Sequence, residues 1–149
     1  MTDIAISKNV EFDAGHRVPM HESKCKNPHG HRYKIEAICT GAIITDPESP
    51  EYGMLTDFSR LKEFLTHYIH DVLDHAMIIH KDDEDFLDAM TGHGWRIVVF
   101  PYVPTAENLA RWAWQELQPA LETAYGDTLT LTQIAVWETP TSVAYYRGD

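Results

Sequence analysis

The sequence predicts an α+β fold, an antiparallel sheet with helices packed on one of its faces. Three observations lead there: two long alternating apolar segments open the chain, two segments with apolar residues three and four apart follow, and a pair of β-rich segments joined by a proline turn closes it. The predicted order is β-β-α-(β)-α-β-β.

In the first strand Ile4, Ile6, Val10, Phe12, Ala14 and His16 share one parity, interrupted only by Lys8. The second continues from His29 and His31 through Tyr33, Ile35, Ala37 and Cys39, again with period two. Antiparallel pairing across the loop 17–28 would bring His16 opposite the His29-Gly30-His31 pair. Asp46-Pro47-Glu48-Ser49-Pro50 reads as a loop, and Asp57 as the N-cap of an amphipathic helix with Phe58, Leu61, Leu65, Tyr68 and Val72 as its stripe. That helix runs into Leu73-Asp74-His75.

The acidic run Lys81-Asp82-Asp83-Glu84-Asp85 lacks the spacing and glycine of a calcium-binding EF-hand loop and instead opens a short helix at Phe86-Leu87. Thr91-Gly92-His93-Gly94 is a turn, and Trp95 to Phe100 a short strand. A second long helix starts after the N-cap Thr105, with Glu107 in its first turn, an apolar stripe at Ala106, Leu109, Ala113 and Leu117, and Pro119 as its limit. Gly126-Asp127 leads into a strand over 129–139, and Pro140-Thr141 into another over 143–146.

The chemistry concentrates in Cys25-Lys26-Asn27-Pro28-His29-Gly30-His31 together with His16. Two histidines two apart on a strand point the same way, and a third from the paired strand completes a three-imidazole set suited to Zn²⁺ with a coordination position left open. Among nine histidines an isolated H-x-H pair arises easily by chance, so the weight lies on His16 being in phase. A metallo-β-lactamase-like H-x-H-x-D-H pattern fails because Tyr33 and Lys34 fill the last two places. A cupin-like site would need Glu36, which has the opposite parity to His31. Cys25 lies between Lys24 and Lys26, and neighbouring cations favour a thiolate. Asp74-His75 can act as a carboxylate-oriented imidazole, or simply as a histidine placed late in a helix. Glu138, ending an apolar and threonine-rich strand, reads on its own as a charged strand terminus.

At 149 residues the chain is of one-domain length (residues 1–149), and 44% hydrophobic content fits a globular protein. The net charge of −11 argues against direct nucleic-acid binding. No apolar run is long enough for a membrane span, Met1-Thr2-Asp3-Ile4 lacks a signal peptide's regions, and two cysteines in unlike contexts form no disulfide framework, so a cytoplasmic location is expected. Arg17, Lys24, Lys26, Arg32 and Lys34 place five of twelve basic residues in the histidine stretch. This is either a patch that steers an anionic small molecule or a solvated loop.

Four blocks, Phe12-x3-His16 with Cys25-x3-His29-Gly30-His31, Gly53-Met54 with Asp57-Phe58, Leu73-Asp74-His75, and Pro104-Thr105-Ala106-Glu107-Asn108 with Glu138-Thr139, resemble the 6-pyruvoyltetrahydropterin and 6-carboxytetrahydropterin synthase family. The resemblance implies a tunnelling fold: a four-stranded antiparallel sheet with two helices on one face, assembling into an oligomeric barrel. It implies homo-oligomers, hexamers built as dimers of trimers, with active sites at subunit interfaces and 7,8-dihydroneopterin triphosphate as substrate. By motif, His16, His29 and His31 would hold Zn²⁺, Cys25 would be the base, and Asp74 and His75 would relay a proton. Glu138 would anchor the pterin, with Thr105 and Glu107 contributing to its pocket. The C-x3-H-G-H spacing resembles the bacterial carboxy-producing members, implying release of acetaldehyde and triphosphate in the queuosine (7-deazaguanine, tRNA modification) pathway. The same resemblance leaves a pyruvoyl product, an aldolase-like side activity or a non-catalytic pterin- or zinc-binding module as alternatives. His80 departs from the asparagine that many relatives carry there.

Overall fold

The computed structural model describes residues 4–149, so the N-terminal reading at residues 1–3 lies outside the described residues. Strands β1 (Ile4–His16) and β2 (His29–Gly41) pair antiparallel along their whole length, with His16 opposite His29 and Ala14 opposite His31. The alternation set this register. Val10, Phe12, Ala14, Tyr33, Ile35, Ala37 and Cys39 are all buried, whereas Glu11, Asp13 and Arg32 on the other parity are exposed. The Cys39 thiol, pushed up by burial to about 12, is a core group.

Among the described residues the sheet has six strands in the order β4-β3-β1-β2-β5-β6, which corrects the expected four-stranded antiparallel sheet. The antiparallel half adds β5 (Leu129–Thr139) beside β2 and β6 (Ser142–Tyr146) beside β5. The other half is parallel: β3 (Met77–His80) pairs with β1 and with β4 (Ile97–Phe100). β3 shows no alternation, since Ile78 and Ile79 are both buried, so a period-two pattern could not reveal it. The short helix α3 (Glu84–Met90) joins β3 to β4, the crossover that parallel neighbours require. β4 is shorter than expected, with Trp95 and Arg96 outside it.

The helix predicted after Asp57 forms as α1 (Phe58–Leu65), a π turn at Thr66–His70 and α2 (Asp71–Leu73), with the Asp57 side chain accepting from Ser59 N. Its buried row is Leu61, Leu65, Ile69 and Leu73, while Phe58 is exposed and Tyr68 and Val72 are only partly covered. The wider π turn lets residues four apart stay on the sheet side, which a regular helical repeat does not anticipate.

Helix α4 (Ala106–Tyr125) contains Pro119 rather than ending at it. A helix-interior proline costs about 3 kcal/mol. Leu117 and Leu121, both buried, flank it, so core packing on either side carries the helix through. Both long helices contribute to one core with β1, β2 and β5, as expected for helices on one face. The histidine row lies on that covered face at the end of the β1–β2 pair.

Candidate metal centre and active site

β1 ends at His16 and β2 begins at His29, so the strand pairing itself places these two imidazoles side by side, and His31 follows on the same face. One ligating nitrogen from each of His16, His29 and His31 lies within 4.8 Å of the others. Two backbone carbonyls orient the first two rings. His16 Nδ1 lies 2.6 Å from Pro104 O, and His29 Nδ1 lies 2.6 Å from Asn27 O. A carbonyl oxygen only accepts, so each Nδ1 carries the proton and each Nε2 presents a lone pair. The two Nε2 atoms nevertheless face each other at 3.1 Å. Two lone pairs at that distance are reconciled by a cation between them.

His31 gives a second sign. Its Nε2 is buried and without an aligned hydrogen bond among the described residues, although Glu138 Oε1 stands 3.1 Å away. Burial holds His16 and His31 below the ordinary imidazole value, in the neutral form that binds metals. An orphaned ring nitrogen, two facing lone pairs and carbonyl-fixed tautomers fit a metal ion held by three imidazoles.

The other sequence-predicted residues are distributed around this centre. Cys25 sits half-buried in a single 3₁₀ turn (Lys24–Lys26), its carbonyl accepting from Val18 N, and is not one of the three converging groups. Glu138 is brought to His31 by β5, where a bulge shifts the register between Trp137 and Thr139. Asp74 and His75 form a pair, Oδ2 to Nδ1 at 2.9 Å, with His75 in the left-handed region at φ 60°. They dock on the backbone of Asp13: His75 N donates to Asp13 O at 2.7 Å, and Asp13 N donates to Asp74 Oδ1 at 3.2 Å. The His75 hydrogen bond, with lesser help from the Asp13 amide, holds Asp74 below the usual carboxylate range.

Two hollows flank Gly30-His31-Arg32. One of about 690 Å³ is walled by Asp13, His75 and Arg96, the other of about 450 Å³ by Lys34, Trp137 and Glu138. His75 and Glu138 therefore open onto different hollows. Thr105 caps α4, its Oγ1 accepting from Asn108 N at 3.2 Å, and Glu107 is exposed in the first turn. The basic stretch is partly neutralised, Arg17 being bound to Asp83 and Arg32 lying 3.3 Å from Asp13, while Lys34 keeps its charge over the Trp137 ring at 4.1 Å. His80 Nε2 stands 3.8 Å from Asp82. The carbonyls of Pro104 and Asn27 orient the rings through backbone oxygens, which side-chain patterns do not mark. Asn27 adjoins the histidine motif and could have been found there, whereas nothing local points to Pro104.

Three convergent imidazoles at the end of a strand pair, in a sheet whose core face packs against helices, define an α+β protein with a candidate metal centre. Comparison with known proteins narrows this class. The 6-pyruvoyl tetrahydropterin synthase family model matches residues 5–149. The chain is 35% identical to a 6-carboxy-5,6,7,8-tetrahydropterin synthase of Rickettsia bellii, over 92% of this chain and 95% of that protein. It is 31% identical to the enzyme of that name from Haemophilus influenzae, over 95% and 97%. The fold is shared with the 6-pyruvoyl tetrahydropterin synthase of Plasmodium vivax at a TM-score of 0.75 and 19% identity, covering 100% and 99% of the two chains. The chain belongs to the 6-pyruvoyl tetrahydropterin synthase family.

Proposed function

We propose that this protein is a zinc-dependent lyase that converts 7,8-dihydroneopterin triphosphate to 6-carboxy-5,6,7,8-tetrahydropterin, releasing acetaldehyde and triphosphate, as a step toward queuosine. The convergence of His16, His29 and His31, with two tautomers fixed by carbonyls, carries this reading. The names of the relatives at 31% and 35% identity support the carboxy product.

His16, His29 and His31 would hold Zn²⁺, which when bound would supply Lewis-acid polarisation of the substrate side-chain hydroxyls. Cys25, on the turn between two lysines, takes a side-chain proton as thiolate. Asp74 fixes the His75 imidazole with its proton on Nδ1, leaving Nε2 to accept or return a proton. Glu138 receives the aminopyrimidine edge of the pterin through two hydrogen bonds, and Thr105 and Glu107, at the start of α4, contribute to the pterin pocket. Because His75 and Glu138 open onto different hollows, sites shared between subunits of a homo-oligomeric barrel, a dimer of trimers, suit this division. The setting is cytoplasmic, without direct nucleic-acid or membrane partners. Among the described residues no helix is long and apolar enough to cross a membrane.

The test is incubation of the zinc-loaded protein with 7,8-dihydroneopterin triphosphate and identification of products by mass, with Cys25→Ala in parallel. Acetaldehyde and a 6-carboxy pterin, absent with the variant while its zinc remains bound, are the expected result. A pyruvoyl product would reassign the reaction, and tight pterin binding without turnover would make the chain a binding module.

A further inference from the structure

The Pro104 carbonyl reaches His16 from 88 residues away, and the residues that aim it form a small closed network at the start of α4. Val103 O accepts two hydrogen bonds, from Thr105 N at 2.8 Å and from Asn108 Nδ2 at 2.9 Å. The first closes a three-residue turn centred on Pro104, whose ring presets φ and whose missing N–H leaves no competing donor. The second ties that turn to the first turn of α4. Asn108 N also donates to Thr105 Oγ1 at 3.2 Å, so Asn108 meets both flanks of Pro104. Pro104 is itself buried, and a buried carbonyl needs a partner. His16 Nδ1 is that partner.

We propose that Asn108 is a positioning residue for the metal centre: its carboxamide braces the Val103–Thr105 turn so that the Pro104 carbonyl holds the His16 proton on Nδ1 and leaves Nε2 free to ligate. The inference rests on reading the three imidazoles as a metal site. Capping of α4 does not require the carboxamide, since the cap uses the Asn108 backbone N–H and the Thr105 hydroxyl. Only the bond to Val103 O uses Nδ2, a donor that aspartate of the same size lacks.

The experiment uses the full chain with ¹⁵N-labelled histidine. Nitrogen NMR of the metal-free protein reads the tautomers of His16 and His29. Competition with a chromophoric chelator then gives zinc affinity for the unsubstituted protein, Asn108→Asp, Asn108→Ser and, as a reference, His16→Ala. The expected result is the Nδ1–H tautomer at both histidines in the unsubstituted protein. In Asn108→Asp, His16 becomes a tautomer mixture, His29 on its separate Asn27 carbonyl is unchanged, and zinc affinity falls by about 10- to 100-fold, the usual effect of removing an outer-shell partner.

An Nε2–H tautomer at His16 in the unsubstituted protein would overturn the proposal. So would zinc affinity within about twofold in the folded variants with the His16 tautomer unmoved. Asn108→Ser, whose hydroxyl is too short to reach Val103 O, decides the matter if Asn108→Asp unfolds. Failure of both to fold would assign Asn108 to folding instead and also overturn it. If His16→Ala binds zinc as tightly as the unsubstituted protein, the reading of the metal site fails, an outcome distinct from failure of the brace.

Discussion

His16 Nε2 and His29 Nε2 face each other at 3.1 Å while each ring donates its Nδ1 proton to a backbone carbonyl. The strand register that makes these residues opposite partners also aims both lone pairs at one point.

Occupation of that point by the proposed Zn²⁺ would stabilise the native state, because the unfolded chain has no preformed site. At zinc about 100-fold above its dissociation constant the gain is about 2.7 kcal/mol, raising Tm by roughly 5–10 °C. Differential scanning calorimetry before and after chelation reads this shift, and His29→Ala should remove it while the apo transition survives. An unchanged Tm on chelation would show that the three imidazoles hold no metal.

Arg17 forms a two-bond ion pair with the buried Asp83, its Nε 2.7 Å from Oδ2. The pair links the residue after His16 to the loop before α3. Arg17, through its hydrogen bond, holds the Asp83 carboxyl below its usual range, so the stabilisation is present above the unfolded value of about 3.9 and is lost as pH falls through the lower folded value. Arg17→Met should cost about 2 kcal/mol at neutral pH by leaving a buried carboxylate unpaired, and Asp83→Asn in the same background should recover part of it. Urea titrations at pH 7 and pH 3 check both; equal losses at the two values would contradict the assignment.

The Tyr33 hydroxyl is fully buried without a hydrogen-bond partner among the described residues. Burial and the nearby Glu138 charge push its phenol above the usual range, so it stays protonated. An unpaired buried hydroxyl costs about 1–3 kcal/mol. Tyr33→Phe keeps the ring stacked on Phe12 and should therefore raise the stability of the metal-free protein by about 1 kcal/mol in urea unfolding. A loss of that size would reveal a bound water or other partner.

Pro119 interrupts the hydrogen-bond ladder of α4 without ending the helix. Pro119→Ala restores one backbone bond at the expense of a more flexible unfolded chain, a net gain of about 1–2 kcal/mol. The midpoint of urea unfolding would move up. A downward shift would mean that the core between Leu117 and Leu121 is shaped to a proline kink.

By itself the sequence determined what depends on local periodicity and local capping. The extent of β1, the start of β2 at His29, the common face of His16, His29 and His31, and the caps Asp57 and Thr105 follow from side-chain alternation and from orphaned helix N–H groups, both encoded within a few residues. The tertiary structure decided everything that rests on a distant partner. β3, buried on both faces, carries no alternation and becomes a strand by pairing with β1 and β4. Pro119 stays helical because leucines on both sides are buried, and the buried row of α1 is displaced by a π turn. The same is true at the site. Pro104 meets His16, Glu138 meets His31, and Asp74-His75 docks on Asp13, each across a separation that no local pattern spans. Periodicity records which way a side chain faces, whereas the group it meets there is chosen only when the chain closes on itself.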